Sequence, residues 1–281
     1  MKKLGIVILN YKSCNDTIDC VNSILEQDYL NIEVIIVDNN SGDNSCKVFK
    51  KLYDKSKNIH LIESETNLGF AKGNNLGIKY ARNELNCDFV FILNSDTIFT
   101  KNNICSFLVN SYKYNVGIIN PACCNIDGSF QNPYGKFNEN LYIIMIKHLI
   151  FIIWSFIRNI FNLNVSISNH LKKEDESDMK KYKYIVQGPA YILTPEFFKY
   201  YNGLFPKTFL YEEELILAWY MKKANLKTIF VESPYIIHKE AGASKSLSRS
   251  NRKLRFQLES LLRAIPMTFK SKEGIKQCYS D

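Results

Sequence analysis

No two of the eight cysteines stand in a Cys-x-x-Cys pair, and the adjacent Cys123 and Cys124 cannot easily aim both thiolates at one metal ion. A zinc site is therefore not expected, and the cysteines are read as buried thiols. The first apolar run ends in LNYKS and has neither a G-x-G-x-x-G turn nor a P-loop, which disfavours a dehydrogenase or a P-loop enzyme. The amino-terminal residues MKKLGIVILNY turn polar too early for a secretory signal and offer no small-residue cleavage site, so a reducing, cytoplasmic setting is expected. With 12 Gly, 7 Pro and 46% hydrophobic residues in 281, the chain is not low-complexity and can bury a substantial core.

Short apolar runs recur at 5–9, 34–37, 59–62 and 89–93, separated by segments of helical spacing such as 16–26 and 71–84. That rhythm predicts βαβ units and a parallel sheet. The runs GIVIL, VIIV and FVFIL are continuous rather than alternating, as strands covered on both faces must be. Ligands of such sheets bind beyond the carboxyl ends of the strands. The residues to inspect are then Asn10 and Tyr11 after the first strand, Asp38, Asn39, Asn40 and Ser41 after the second, and Asn94 and Asp96 after the fourth. A carboxylate after the second strand suits a base or ribose, and one after the fourth suits a divalent ion. From Lys239 onward ten Lys and Arg face four acids, which gives that end six of the chain's eight net positive charges and predicts an anionic neighbour.

Five segments in order, IVILNYKS at 6–13, VIIVDNNSGDNS at 34–45, NLGFAKGNNLGIKYA at 67–81, FILNSDT at 91–97 and FLYEEELIL at 209–217, are similar to the serial motifs of family 2 glycosyltransferases with a GT-A fold, and in particular to the rhamnosyltransferase-like branch. The likeness runs from about residue 4 to 242 and is broken by an insertion at 136–182. It implies an α/β GT-A fold: a Rossmann-like, mostly parallel central sheet flanked by helices, with a nucleotide-binding half at 1–120 and an acceptor half at 121–242. An amphipathic helical insertion and a basic helical tail at 243–281 complete the expected chain.

The resemblance implies roles residue by residue. Asp38 would contact the nucleotide, with Asn10, Tyr11, Asn40, Asn74, Asn75 and Asn94 around the nucleotide sugar. Asp96 would hold Mg²⁺ or Mn²⁺ on the diphosphate with help from His238, although Asn94 stands where an acid is usual. Glu213 and Glu214 match the acidic pair whose second member is the catalytic base, with Glu in place of Asp. The implied enzyme is an inverting hexosyl- or rhamnosyltransferase acting on a lipid-linked or surface polysaccharide. The Gln187–Ala190 stretch QGPA would shape the acceptor side, or be an ordinary turn. Asp38 also fits a plain turn, and acids in a first helical turn are favoured by the helix dipole in any protein. A catalytically silent nucleotide-sugar-binding or scaffold protein of the same fold is the alternative.

The stretch LYIIMIKHLIFIIWSFIRNIFNL at 141–163 is long enough to span a membrane, but Lys147, His148, Ser155, Arg158, Asn159 and Asn162 share one helical stripe of about 120°. The pattern predicts a helix lying on the inner-leaflet membrane surface, with a core helix or a homodimer seam as the alternatives. The charged 172–181 segment is read as a connector. Nucleic acid is not expected as a partner, because the basic end lacks interleaved aromatics.

Overall fold

The structure, a computed structural model, describes residues 2–132, 140–161, 186, 188–240 and 251–279. Gln187, the 172–181 segment, Asn162 and Arg249 lie outside the described residues.

Four parallel strands form first: β1 (Leu4–Asn10), β2 (Ile32–Asp38), β3 (Ile59–Glu63) and β4 (Phe89–Asn94), separated by α1 (Cys14–Leu25), α2 (Ser45–Tyr53) and α3 (Gly69–Asn83). The expected runs and helices fall within these elements to within a few residues. There follow β5 (Thr97–Phe99), α4 (Ile104–Asn110), β6 (Val116–Cys124), α5 (Leu141–Ile160), β7 (Ala190–Leu193), α6 (Pro195–Tyr200), α7 (Glu213–Ala224), β8 (Lys227–His238), α8 (Asn251–Thr268) and α9 (Lys272–Gln277). The sheet runs β3-β2-β1-β4-β7-β6-β8-β5, so it is parallel through its first half and mixed in its second.

Pleating sends alternate residues to opposite faces, and both faces are covered. Val7, Ile35, Val37, Val90, Ile92, Tyr191 and Leu193 pack with α3, α5 and the helices from α6 onward. Ile6, Ile8, Val34, Ile36, Phe89, Phe91 and Ile192 pack under α1, α2 and α4. This double burial is why the strands are apolar throughout. The basic carboxyl-terminal segment is no loose appendage: Leu261, Ala264, Met267, Ile275 and Cys278 are buried in the first of these clusters, and Tyr279 donates to Tyr220 Oη at 2.9 Å. Its cations lie on the outer side of helices whose inner side is apolar.

The inserted helix α5 forms where its spacing predicts, but its polar stripe does not simply face water. Ser155 is buried, His148 bonds Glu212, and Asn159 donates to Asn251 Oδ1 at 2.8 Å. The stripe adjoins the face that seats Leu141, Met145 and Ile152, so half of it is drawn into the protein.

Helix α3 lies so close to the sheet that a Cβ on Gly77 would overlap Val7 and come within 3.1 Å of Val37 Cγ2. Alanine there would gain helix propensity of roughly 1 kcal/mol but force the core apart. Gly77→Ala is expected to lower stability by about 1–3 kcal/mol, seen as a lower urea midpoint at unchanged slope. A raised midpoint would show that the helix can move away from the sheet.

Candidate active site

The carboxyl ends of β1, β2 and β4 are neighbours, with Asn10 paired to Asp38 across one strand boundary and Leu9 to Asn94 across the other. The chain therefore gathers at one sheet edge the three polar groups that its sequence puts after three separate strands. Asp38 is buried, and its carboxylate is met by donors on both oxygens: Asn10 Nδ2 at 2.6 Å and Ser41 Oγ at 2.5 Å reach Oδ1, and the Ser41 backbone N–H reaches Oδ2 at 3.1 Å. A buried carboxylate needs such donors to stay charged. Beside it Asn39 ties the β2 tip to the start of α3, donating to Asn67 Oδ1 and Gly69 O and accepting from the Leu68 N–H at 2.9 Å. Tyr11 is half-buried under Lys12, and Asn40 is exposed with φ of 58°.

Asp96 is buried just past β4, and the antiparallel pairing of β5 with β8 sets His238 opposite Thr97. His238 Nε2 is 3.2 Å from Asp96 Oδ1 and 3.5 Å from Asn94 Nδ2. On the other side of the ring, Nδ1 is 2.9 Å from Gln131 Oε1, and Gln131 donates through its own Nε2 to Asn125 and Glu240. That amide orientation makes His238 Nδ1 the donor to Gln131, and Nε2 is the ring atom that faces the Asp96 carboxylate. Two donor atoms facing one another in this way fit a shared divalent cation, with the remaining ligands left to the substrate's phosphates. Among the described residues no group of three or more His, Cys, Asp and Glu is placed to hold a metal ion by itself.

The acidic triplet sits at the same edge by a different route. The Asn94 N–H donates to Pro189 O at 2.8 Å, and a Cβ on the preceding Gly188 would come 2.6 Å from Glu214 Oε1. Glycine leaves room for that carboxylate where it stands, and a larger residue would displace it. Further out, the Phe70 N–H donates to Phe209 O at 2.7 Å, over Gly69, whose φ is +77° and whose missing Cβ would strike that carbonyl. The NLGF turn and the FLYEEE segment are thus pinned together.

Tyr211 and Glu212 both lie in the left-handed region, at φ of 72° and 71°, although neither is glycine. Strain of this kind costs about 1–3 kcal/mol per residue and persists at sites that use it. Glu212 caps α7 with its side chain buried and paired, Oε2 to His148 Nδ1 at 3.0 Å. The hydrogen bond to Glu212, against the opposing effect of burial, raises the His148 pKa above 6.5. Burial, reinforced by the charge of Glu214, pushes the Glu213 carboxyl well above its ordinary range, and Glu213 Oε1 has no partner. Burial also raises Glu214, with the charge of Glu212 adding to it, while its backbone N–H and His148 pull it down. The buried Tyr191 hydroxyl, equally unpartnered, has its pKa raised by burial and then by these two acids.

Of the expected site residues, Asn10, Asp38, Asn94, Asp96, His238 and Glu214 are brought to one edge. Asn74 is fully buried on α3, donating to Phe70 O with its Oδ1 unpartnered. Both polar atoms of Asn75 are taken by the Leu204 backbone, at 2.8 Å each, which makes it a brace between α3 and the 204–209 segment. Sequence reasoning pointed to Ser41 but gave no site role to Gln131, His148 and Glu212. The triplet itself was the signal for Glu212, whereas Gln131 and His148 sit in segments with no motif.

Residues 5–165 match the model of "Glycosyl transferase family 2". The chain belongs to that family. Among curated relatives, the low-salt glycan biosynthesis hexosyltransferase Agl10 of Haloferax volcanii is 33% identical over 125 residues, 44% of this chain and 38% of that protein. The chain's match spans about two fifths of the first curated relatives' length. Among solved structures, TarS of S. aureus in complex with UDP-GlcNAc aligns over 98% of this chain and 70% of that one, with a TM-score of 0.58 and 17% identity. The mannosyltransferase PcManGT of Pyrobaculum calidifontis, in complex with GDP-Man and Mn²⁺, aligns over 100% and 74% with a TM-score of 0.58 and 12% identity. At such identities the likeness shows the fold, which is the GT-A type expected from the motifs.

The His148–Glu212 pair supplies a pH test. Because the folded pKa of His148 is raised, the stability this pair contributes is complete below about 6.5 and is lost as pH rises through the folded value. Urea unfolding at about pH 6 and about pH 9 is expected to show a larger loss for the wild type than for His148→Gln. Equal losses in the two proteins would mean that the pair carries no linked stability.

Proposed function

We propose that the protein is an inverting glycosyltransferase that moves a sugar from a nucleotide-sugar donor to a hydroxyl of a glycan, on a lipid-linked or surface polysaccharide acceptor, with a divalent ion assisting. The observation that carries this reading is the Glu214 carboxylate, raised in pKa by burial, set over Gly188 and joined through Pro189 to the strand end that bears Asn94 and Asp96.

A general base works best when its pKa lies near the working pH, and burial moves a carboxylate in that direction. In the proposed step Glu214 takes the proton of the acceptor hydroxyl. The hydroxyl oxygen attacks the anomeric carbon from the face opposite the leaving group, and the bond to the nucleoside diphosphate breaks with its electron pair on the phosphate oxygen. A single displacement needs no covalent nucleophile. Asp96 and His238 would hold Mg²⁺ or Mn²⁺, which when bound neutralises charge on the departing diphosphate. Asn10, Tyr11, Asp38 and Asn40 line the nucleotide side, and Asp38 is held there by Asn10 and Ser41. Burial and the neighbouring Glu214 disfavour the ionised form of Glu213.

Release of nucleoside diphosphate from UDP-, dTDP- and GDP-sugars, hexosyl and rhamnosyl donors both included, tests the reading. Glu214→Gln is expected to lose roughly 10²–10⁴ in turnover while nucleotide affinity stays within a few-fold. Asp96→Ala is expected to lose the metal-dependent part of nucleotide binding. Full turnover in Glu214→Gln would move the base elsewhere, and a wild type that binds nucleotide without transfer to any acceptor would make this a binding protein.

A further inference from the structure

The outer face of α5 is apolar along its whole length and is covered by no other described element. Ile143, Ile146, Ile150, Ile153 and Ile157 recur at alternating steps of three and four, and are 46%, 55%, 61%, 45% and 44% exposed. Phe161, just past the helix, extends the row. Single exposed apolar residues need no explanation, but a continuous ridge of this kind marks a contact surface. The helix is apolar and long enough to cross a membrane by composition, yet only 22% of that stretch is buried inside the protein. Its inner face is seated by Leu141, Met145 and Ile152, and held by His148 to Glu212 and by Asn159 to Asn251.

Charge identifies what fits this ridge. Helix α5 carries Lys147, His148 and Arg158 and no acid at all. The Tyr142 ring at its start lies 6.4 Å from that of Phe269, which is 77% exposed. From there the surface continues over the exposed Leu262 into a cleft of about 750 Å³ lined by Lys72, Lys207, Arg263 and Lys270, with no carboxylate on its walls. An apolar ridge bordered by cations is complementary to a lipid surface rich in anionic headgroups. It is not complementary to itself, since a two-fold contact between copies would set these cations against one another.

We propose that the outer face of α5, with the cationic cleft beside α8, docks on an anionic lipid bilayer, α5 lying in the plane of the interface with its isoleucines among the acyl chains and the cleft taking headgroup phosphates. The inference rests on exposure and charge, and stands whatever the role of Glu214. Joined to the transferase reading, it has a consequence for access: through His148 and Glu212 the docked helix holds the acidic segment beside the membrane, where an acceptor carried on lipid would be presented.

The test is sedimentation of the full chain with vesicles of phosphatidylcholine, with and without phosphatidylglycerol, at low and high salt. The wild type is expected to pellet with the anionic vesicles and to be released by salt. Ile146→Glu/Ile150→Glu/Ile153→Glu is expected to weaken partitioning at least about tenfold, its fold checked by its thermal transition. Trp154 on α5 gives a second readout that needs no variant: with Trp219 buried, the blue shift on adding anionic vesicles comes from α5. A wild type that stays in the supernatant with unchanged fluorescence would overturn the proposal. So would a triple variant that pellets like the wild type, or a dimer in light scattering that the same substitutions dissolve.

Discussion

Everything at the candidate site depends on one close approach, the Phe70 N–H bonded to Phe209 O across a glycine with no room for a side chain. The two segments it joins are about 140 residues apart in the chain. The first opens α3 beside the tips of β1 and β2, where Asp38 is held. The second leads through two strained residues into α7 and its acids. Asn75 repeats the connection one turn along, by bonding both backbone groups of Leu204. A site made from both ends of a chain needs such pins, because a displacement of an ångström between reacting groups is costly to catalysis.

Two kinds of carboxylate occupy this edge, and their surroundings divide the work between them. Asp38 is surrounded by donors that satisfy both its oxygens in a buried place. At Glu213 and Glu214 desolvation outweighs the backbone donors they have, and their ionised forms are disfavoured. In the proposed reaction the donors position Asp38 for recognition, and desolvation prepares Glu214 to accept a proton. The positive φ at Tyr211 and Glu212 is the cost of delivering the second kind, held in place from outside by His148 of the inserted helix.

The sheet was legible because strands covered on both faces must be apolar at every position, as in GIVIL and VIIV. The rule that ligands gather at carboxyl ends then pointed to Asn10, Asp38, Asn94 and Asp96 without any coordinates. What the sequence could not show was contact between distant segments. Asn75 carries the same side chain whether it faces a phosphate or braces Leu204, and periodicity does not distinguish the two. Nothing local in MIKHLI marks His148 as the partner of a glutamate 64 residues on. The polar stripe of α5 was visible, but which neighbours draw it inward is a matter of packing. The basic carboxyl-terminal end was legible as charge, while its role in completing the core lies in the spacing of Leu261, Ala264 and Met267, residues that a count of charges passes over.

The central claim is that Asp96 and His238 hold a divalent ion at the edge shared with Asp38 and Glu214. Crystals grown with a nucleoside diphosphate and Mn²⁺, measured at a wavelength where manganese scatters anomalously, would test it most directly. The account predicts one anomalous peak in bonding contact with an Asp96 oxygen and His238 Nε2, bridged to the diphosphate, with the nucleoside beside Asp38. A nucleotide bound with no manganese at Asp96, or a peak seated instead on the Glu212 to Glu214 acids, would contradict it.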